Sequence, residues 1–204
     1  MVKSGVVAKF PARFLAVPLT LIGVASGCAA KPSVFQIIDQ SDTGNVRRYQ
    51  ETFDEAYYQV DGHDNVHIVL RGRAAKHEGE SRDLTQVVHI RGVWRELPGR
   101  TVSDRTQLNA VVSYFAYGGR VGDSLEGVGS VFAMEDKDVL AGSLDQAVLR
   151  PKRQLTPVEP LFAHAELTGE FHARRDPRQV VQIVNELERQ FGPLPPPEAR
   201  ASKR

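Results

Sequence analysis

Polar and apolar residues alternate most sharply in 161–173, where Ala163, Ala165, Leu167, Gly169, Phe171 and Ala173 share one parity. His164, Glu166, Thr168, Glu170 and His172 hold the other. A period of two with one polar face predicts a strand with one side in water. In 108–117 both parities are apolar, with Leu108, Ala110, Val112 and Tyr114 against Val111 and Phe115, which predicts a strand buried on both faces. Residues 84–96 carry Val88, Ile90 and Trp94 on one side and His89 and Arg91 on the other, before the turn pair Pro98-Gly99.

The same pattern predicts two hairpins. Residues 51–60 and 66–73 flank Asp61-Gly62-His63-Asp64-Asn65, a turn-forming pentapeptide between β-favouring runs. The first arm also fits a helical stripe through Tyr49, Phe53, Ala56, Tyr57 and Val60. Residues 125–134 and 139–149 flank the charged tip Glu135-Asp136-Lys137-Asp138, and Gly127 and Gly129 inside the first arm predict a bulge, a bend or close backbone approach. Pro151, Pro157 and Pro160 mark the connection to the last strand.

Only near the end does the period change to that of a helix. Asp176 can cap, Pro177 suits the first helical position, Gln179 is placed to share the cap, and Gly192-Pro193 stops the run. Val180, Val181, Ile183, Val184, Leu187 and Phe191 form its apolar stripe. The predicted fold is mainly β: an antiparallel β-sandwich or half-open barrel of seven to eight strands with one C-terminal α-helix over 177–191. A closed eight-stranded barrel is the alternative. A membrane-spanning barrel fits less well, because the last element is a helix and the strands lack a sustained lipid-facing band with interfacial aromatics.

The first thirty residues obey a different logic. Lys3, Lys9 and Arg13 lead into an apolar run over 14–24, then Ala25-Ser26-Gly27-Cys28. A basic start, a short apolar segment and small residues make a secretory signal, and the segment is shorter than the roughly 20 apolar residues of a transmembrane helix. Small residues directly before a cysteine resemble the lipobox of bacterial lipoproteins, with Ala25 standing where leucine is commonest. The resemblance covers residues 1–28 and implies cleavage before Cys28, diacylglycerol on its thiol, acyl chains such as palmitate, and a lipid-anchored place in the cell envelope. The absence of aspartate after Cys28, where Ala29 and Ala30 stand, implies the outer membrane rather than the inner one. Cys28 is the sole cysteine, so no disulfide competes for it.

The expected organisation is a signal peptide over 1–27, the anchored cysteine and a short tether or first strand over 28–45, one β-rich domain over 46–192, and a proline-rich basic tail over 193–204. Loss of the leader removes three cations and no acid, turning the net charge of +1 into about −2. A near-neutral chain gives no electrostatic case for nucleic acid.

Candidate chemistry is sparse. His63, Asp64 and His67, with Asp61, are the densest set of metal-ligand types, yet no ligand spacing matches a zinc motif. His164 and His172 lie about 26 Å apart on a straight strand, too far to share an ion. No nucleophile elbow, Ser-x-x-Lys set or phosphate loop is present, and no cofactor is implied. The expected function is therefore a non-catalytic envelope lipoprotein, held to the membrane through Cys28, whose β domain binds or braces an envelope protein or lipid partner. A lipid or small-ligand carrier, and a hydrolase of envelope polymers, are the alternatives.

Overall fold

The structure, a computed structural model, describes residues 31–42, 45–63, 65–74, 83–93, 110–119, 121–155 and 162–194. Its elements are β1 (Ser33–Asp42), β2 (Asn45–Phe53), β3 (Glu55–Val60), β4 (Asn65–Arg73), β5 (Thr85–Val93), β6 (Ala110–Gly118), β7 (Val121–Asp136), β8 (Val139–Gln154), β9 (Ala165–Arg175) and α1 (Pro177–Phe191). The fold is mainly β with one C-terminal helix, as the pattern predicts. Nine strands form where seven to eight are expected, because the first arm breaks at Asp54 into β2 and β3. The run beginning at Val34, open between tether and strand in the sequence, belongs to β1.

All nine strands join one sheet in the order β2-β1-β9-β3-β4-β5-β6-β7-β8, and β9 also bonds to β8. One edge of β9 is therefore shared by β1, over residues 165–170, and β3, over 174–175. The other edge carries β8 from Ala165 to Arg174. These pairings roll the sheet into a barrel wall, with β2 and β3 acting as one strand bent at Asp54. Closure hides backbone donors and acceptors that an open edge would leave exposed.

The inward positions are filled. Phe35, Ile37, Tyr58, Ile68, Leu70, Val88, Ile90, Val112, Leu144, Leu167 and Phe171 belong to one buried cluster. A barrel of this size closes on its own side chains. Polar groups seal its ends: the Tyr58 hydroxyl donates to Glu135 over 2.5 Å. Gln86 Nε2 donates to Glu51 and to the Arg73 carbonyl, and the Tyr114 hydroxyl donates to Gln86 Oε1. Burial and Glu135 together push the Tyr58 hydroxyl well above its ordinary pKa.

Gly127 and Gly129 are where β7 and β8 crowd together. A Cβ on Gly127 would stand 1.8 Å from the Val148 carbonyl oxygen, and one on Gly129 would stand 2.8 Å from Ala147 Cβ. The register shifts beside them, between Val128 and Ser130, and Gln146 opposite takes a positive φ of 44°. Pro151 does not mark a connection; it sits inside β8, where the register shifts again beside Leu125. A bulge is where a strand tolerates a residue without an N–H.

Helix α1 lies outside the barrel. Asp176 Oδ1 accepts from the Gln179 N–H, closing the N-terminus. Val180, Ile183, Leu187 and Phe191 bury against Tyr57, Val69, Val87, Phe115 and Tyr117. This explains the doubly apolar β6: Val112 and Tyr114 face the interior, and Phe115 and Tyr117 face the helix. Val181, read as part of the stripe, is instead exposed. Leu194, in the expected tail, packs against the same cluster.

Candidate functional site

The outer wall of β4–β7 carries the molecule's concentrated polar chemistry. It begins at the β3–β4 turn, where Asp61 Oδ1 accepts from the His63 and Asn65 backbone N–H groups and Oδ2 accepts from the Asn65 amide. Burial works against the charged carboxyl, but these bonds, with His67, hold Asp61 well below the usual carboxylate range. It therefore stays an anion and orients the histidine beside it. His67 Nε2 lies 3.3 Å from Asp61 Oδ2, and His67 Nδ1 lies 3.2 Å from His89 Nε2. The two rings stack with centroids 5.4 Å apart.

His67 Nε2 therefore faces the anion and His67 Nδ1 faces His89 Nε2, which links the three side chains in one hydrogen-bonded chain. Burial, then Arg91, then His67 push the His89 pKa well below its ordinary value, so His89 is neutral. His89 Nδ1 and Ser113 Oγ are both buried without a partner among the described residues, and the two residues face each other across β5 and β6.

Beside them, Glu126 lies 3.6 Å from Arg91 and 3.2 Å from Lys152. Arg91 is almost fully buried, and burial pushes its pKa down while Glu126 supports the charge. The row leads to a cavity of about 230 Å³ at the C-terminal end of α1. Ser113, Glu126 and Lys152 line one part of it; Phe115, Phe191, Pro193 and Leu194 line the rest. Arg153 closes the rim, its Nη1 donating to the Phe191 carbonyl.

Of the sequence candidates, His67 is drawn into this row. His63 is exposed at the turn and contributes its backbone N–H to Asp61, and Asp64 lies outside the described residues. Among the described residues no group of three or more His, Cys, Asp or Glu side chains is placed to hold a metal ion. Cys28 also lies outside them. His89 and Arg91 were legible as one face of a strand; their burial was not, because strand alternation says nothing of what covers the outer side.

The β9 face matches the solvated reading in part. Glu166 accepts from Gln40, and Glu170 lies 3.7 Å from Lys31. His172 is half-buried, with its backbone N–H bonded to Ser33.

A second surface is apolar. Val128, Phe132 and Met134 of β7 with Val139 and Val148 of β8 are exposed by 39–51%. All point out from the barrel, since Leu125, Gly129, Ala133, Leu140, Leu144, Ala147 and Leu149 are their buried neighbours. Val128 stands opposite Val148, Phe132 opposite Ser143 and Met134 opposite Ala141. Among the described residues no helix is long and apolar enough to cross a membrane. No family model, curated protein or solved structure matches this chain.

Proposed function

We propose that the chain is a lipid-anchored envelope lipoprotein that binds or braces another envelope component through the outer face of β7–β8. The supporting observation is the exposed apolar ribbon of Val128, Phe132, Met134, Val139 and Val148. Exposed apolar residues scattered singly are ordinary; five on one face of one hairpin mark an interaction surface. The long hairpin is stiffened by pairing along its length, so the face is preformed and little ordering opposes association. The filled interior favours this reading over a carrier that holds its ligand inside the barrel.

The anchor would hold that face beside the membrane. Small residues before Cys28 motivate acylation, and more than one acyl chain gives stable attachment, at about 0.8 kcal/mol per buried CH2. A short span between Cys28 and β1 holds the domain near the bilayer, raising its effective concentration toward envelope partners. In the native host, the wild type is expected in the membrane fraction with lipid on Cys28, and Cys28→Ala in the soluble fraction without it. A soluble, unmodified wild type would overturn the anchor.

A further inference from the structure

The cavity at the end of α1 is divided by polarity in a way that packing alone does not require. Its apolar part is made by Phe115, Phe191, Pro193 and Leu194, and Phe191 is held in place by ring contacts with Phe115 and Tyr117. Its polar part is the cross-strand row of Ser113 and Glu126, joined by Lys152, with Ser124 and Arg153 at its border. One feature of that row is incomplete. Ser113 Oγ is buried, on a residue 2% exposed, with no partner among the described residues. A buried hydroxyl without a hydrogen bond costs about 1–3 kcal/mol. The Lys152 ammonium stands at the open side of the row, its side chain 53% exposed, with one of its three N–H donors given to Glu126 Oε1 and the others open to solvent or to a ligand.

We propose that this cavity is a binding site for a small amphipathic carboxylate. The carboxylate accepts from Ser113 Oγ–H and Lys152 Nζ, giving the buried hydroxyl a partner and replacing water on the ammonium. The apolar body lies against Phe115, Phe191 and Leu194. An apolar cavity of about 150 Å³ holds a benzene ring, so about 230 Å³ suits a body of roughly eight carbons and not a whole phospholipid. The ligand sits between helix and barrel wall, outside the filled interior, and the proposal stands whether or not the β7–β8 face docks a partner.

Octanoate titrated into the purified full chain, read by the NMR signals of the Phe115 ring and the Leu194 methyls, tests this. Saturable shifts at both residues are expected, with octanol binding more weakly. Lys152→Gln and Ser113→Ala should each weaken octanoate by about tenfold, equivalent to 1.4 kcal/mol, and Leu194→Trp, which fills the apolar end, should abolish binding. No saturable shift in the wild type overturns the proposal. So does octanol binding as tightly as octanoate, or octanoate binding that Leu194→Trp leaves intact.

Discussion

Gly127 shows how closely single atoms govern this barrel. Its missing Cβ would overlap the Val148 carbonyl oxygen, which is backbone and cannot rotate away. Gly127→Ala should therefore cost about 3 kcal/mol, the upper range of overpacking, read as a lowered urea midpoint. Gly119 is the internal control: a Cβ there meets open space, and only its φ of +64° opposes alanine, at about 1 kcal/mol. A second residue-scale effect comes from His89. Its folded pKa lies well below the ordinary value of 6.5, so on acidification the unfolded chain takes the proton first. Its contribution is complete above pH 6.5 and is lost as pH falls below it, by about 1.4 kcal/mol per unit. Denaturation midpoints measured between pH 7 and the folded pKa should fall in the wild type, and His89→Gln should remove that part of the slope. The turn at Asp61 was visible as a pentapeptide; its link through His67 to His89 was not, because the two histidines meet only through strand pairing, 22 residues apart.

Among elements, α1 was the most legible. Its cap, first-position proline, apolar stripe and stop are local signals, and each acts on the backbone within a few residues. The stripe overreached at one place: Val181 fits the periodicity yet points to solvent, since periodicity locates a face only to within part of a turn. Ile183→Ala should cost about 3 kcal/mol by leaving a cavity against the barrel wall, while Val181→Ala should change the unfolding midpoint little; equal losses would mean that the helix seats differently. Strand β9 was legible for a similar reason, its alternation being uninterrupted. Pro151 and Asp54 were not. Whether a proline ends a strand or sits at a bulge depends on the register of β7 against β8, and whether Asp54 breaks an arm depends on β1 and β9 accepting its two halves. Both are decided by distant partners.

For the whole molecule, the mainly β class came from periodicity, whereas ring closure did not. Closure rests on β9 bonding to β8 on one edge and to β1 and β3 on the other, and its pairings to β1 and β3 join residues more than a hundred positions apart. The exposed ribbon was hidden for a related reason: Phe132 and Met134 read as ordinary strand residues until β7 and β8 turn them away from the filled interior. Docking through that ribbon is what the proposed function depends on most. The most direct measurement is photocrosslinking in the native host from a photoreactive side chain at Phe132, with the exposed Val181 on α1 as the control for mere apolar exposure. One discrete adduct with an envelope component is expected from Phe132, absent from Val181 and diminished in Cys28→Ala. No adduct from Phe132, or the same adducts from both positions, would contradict it.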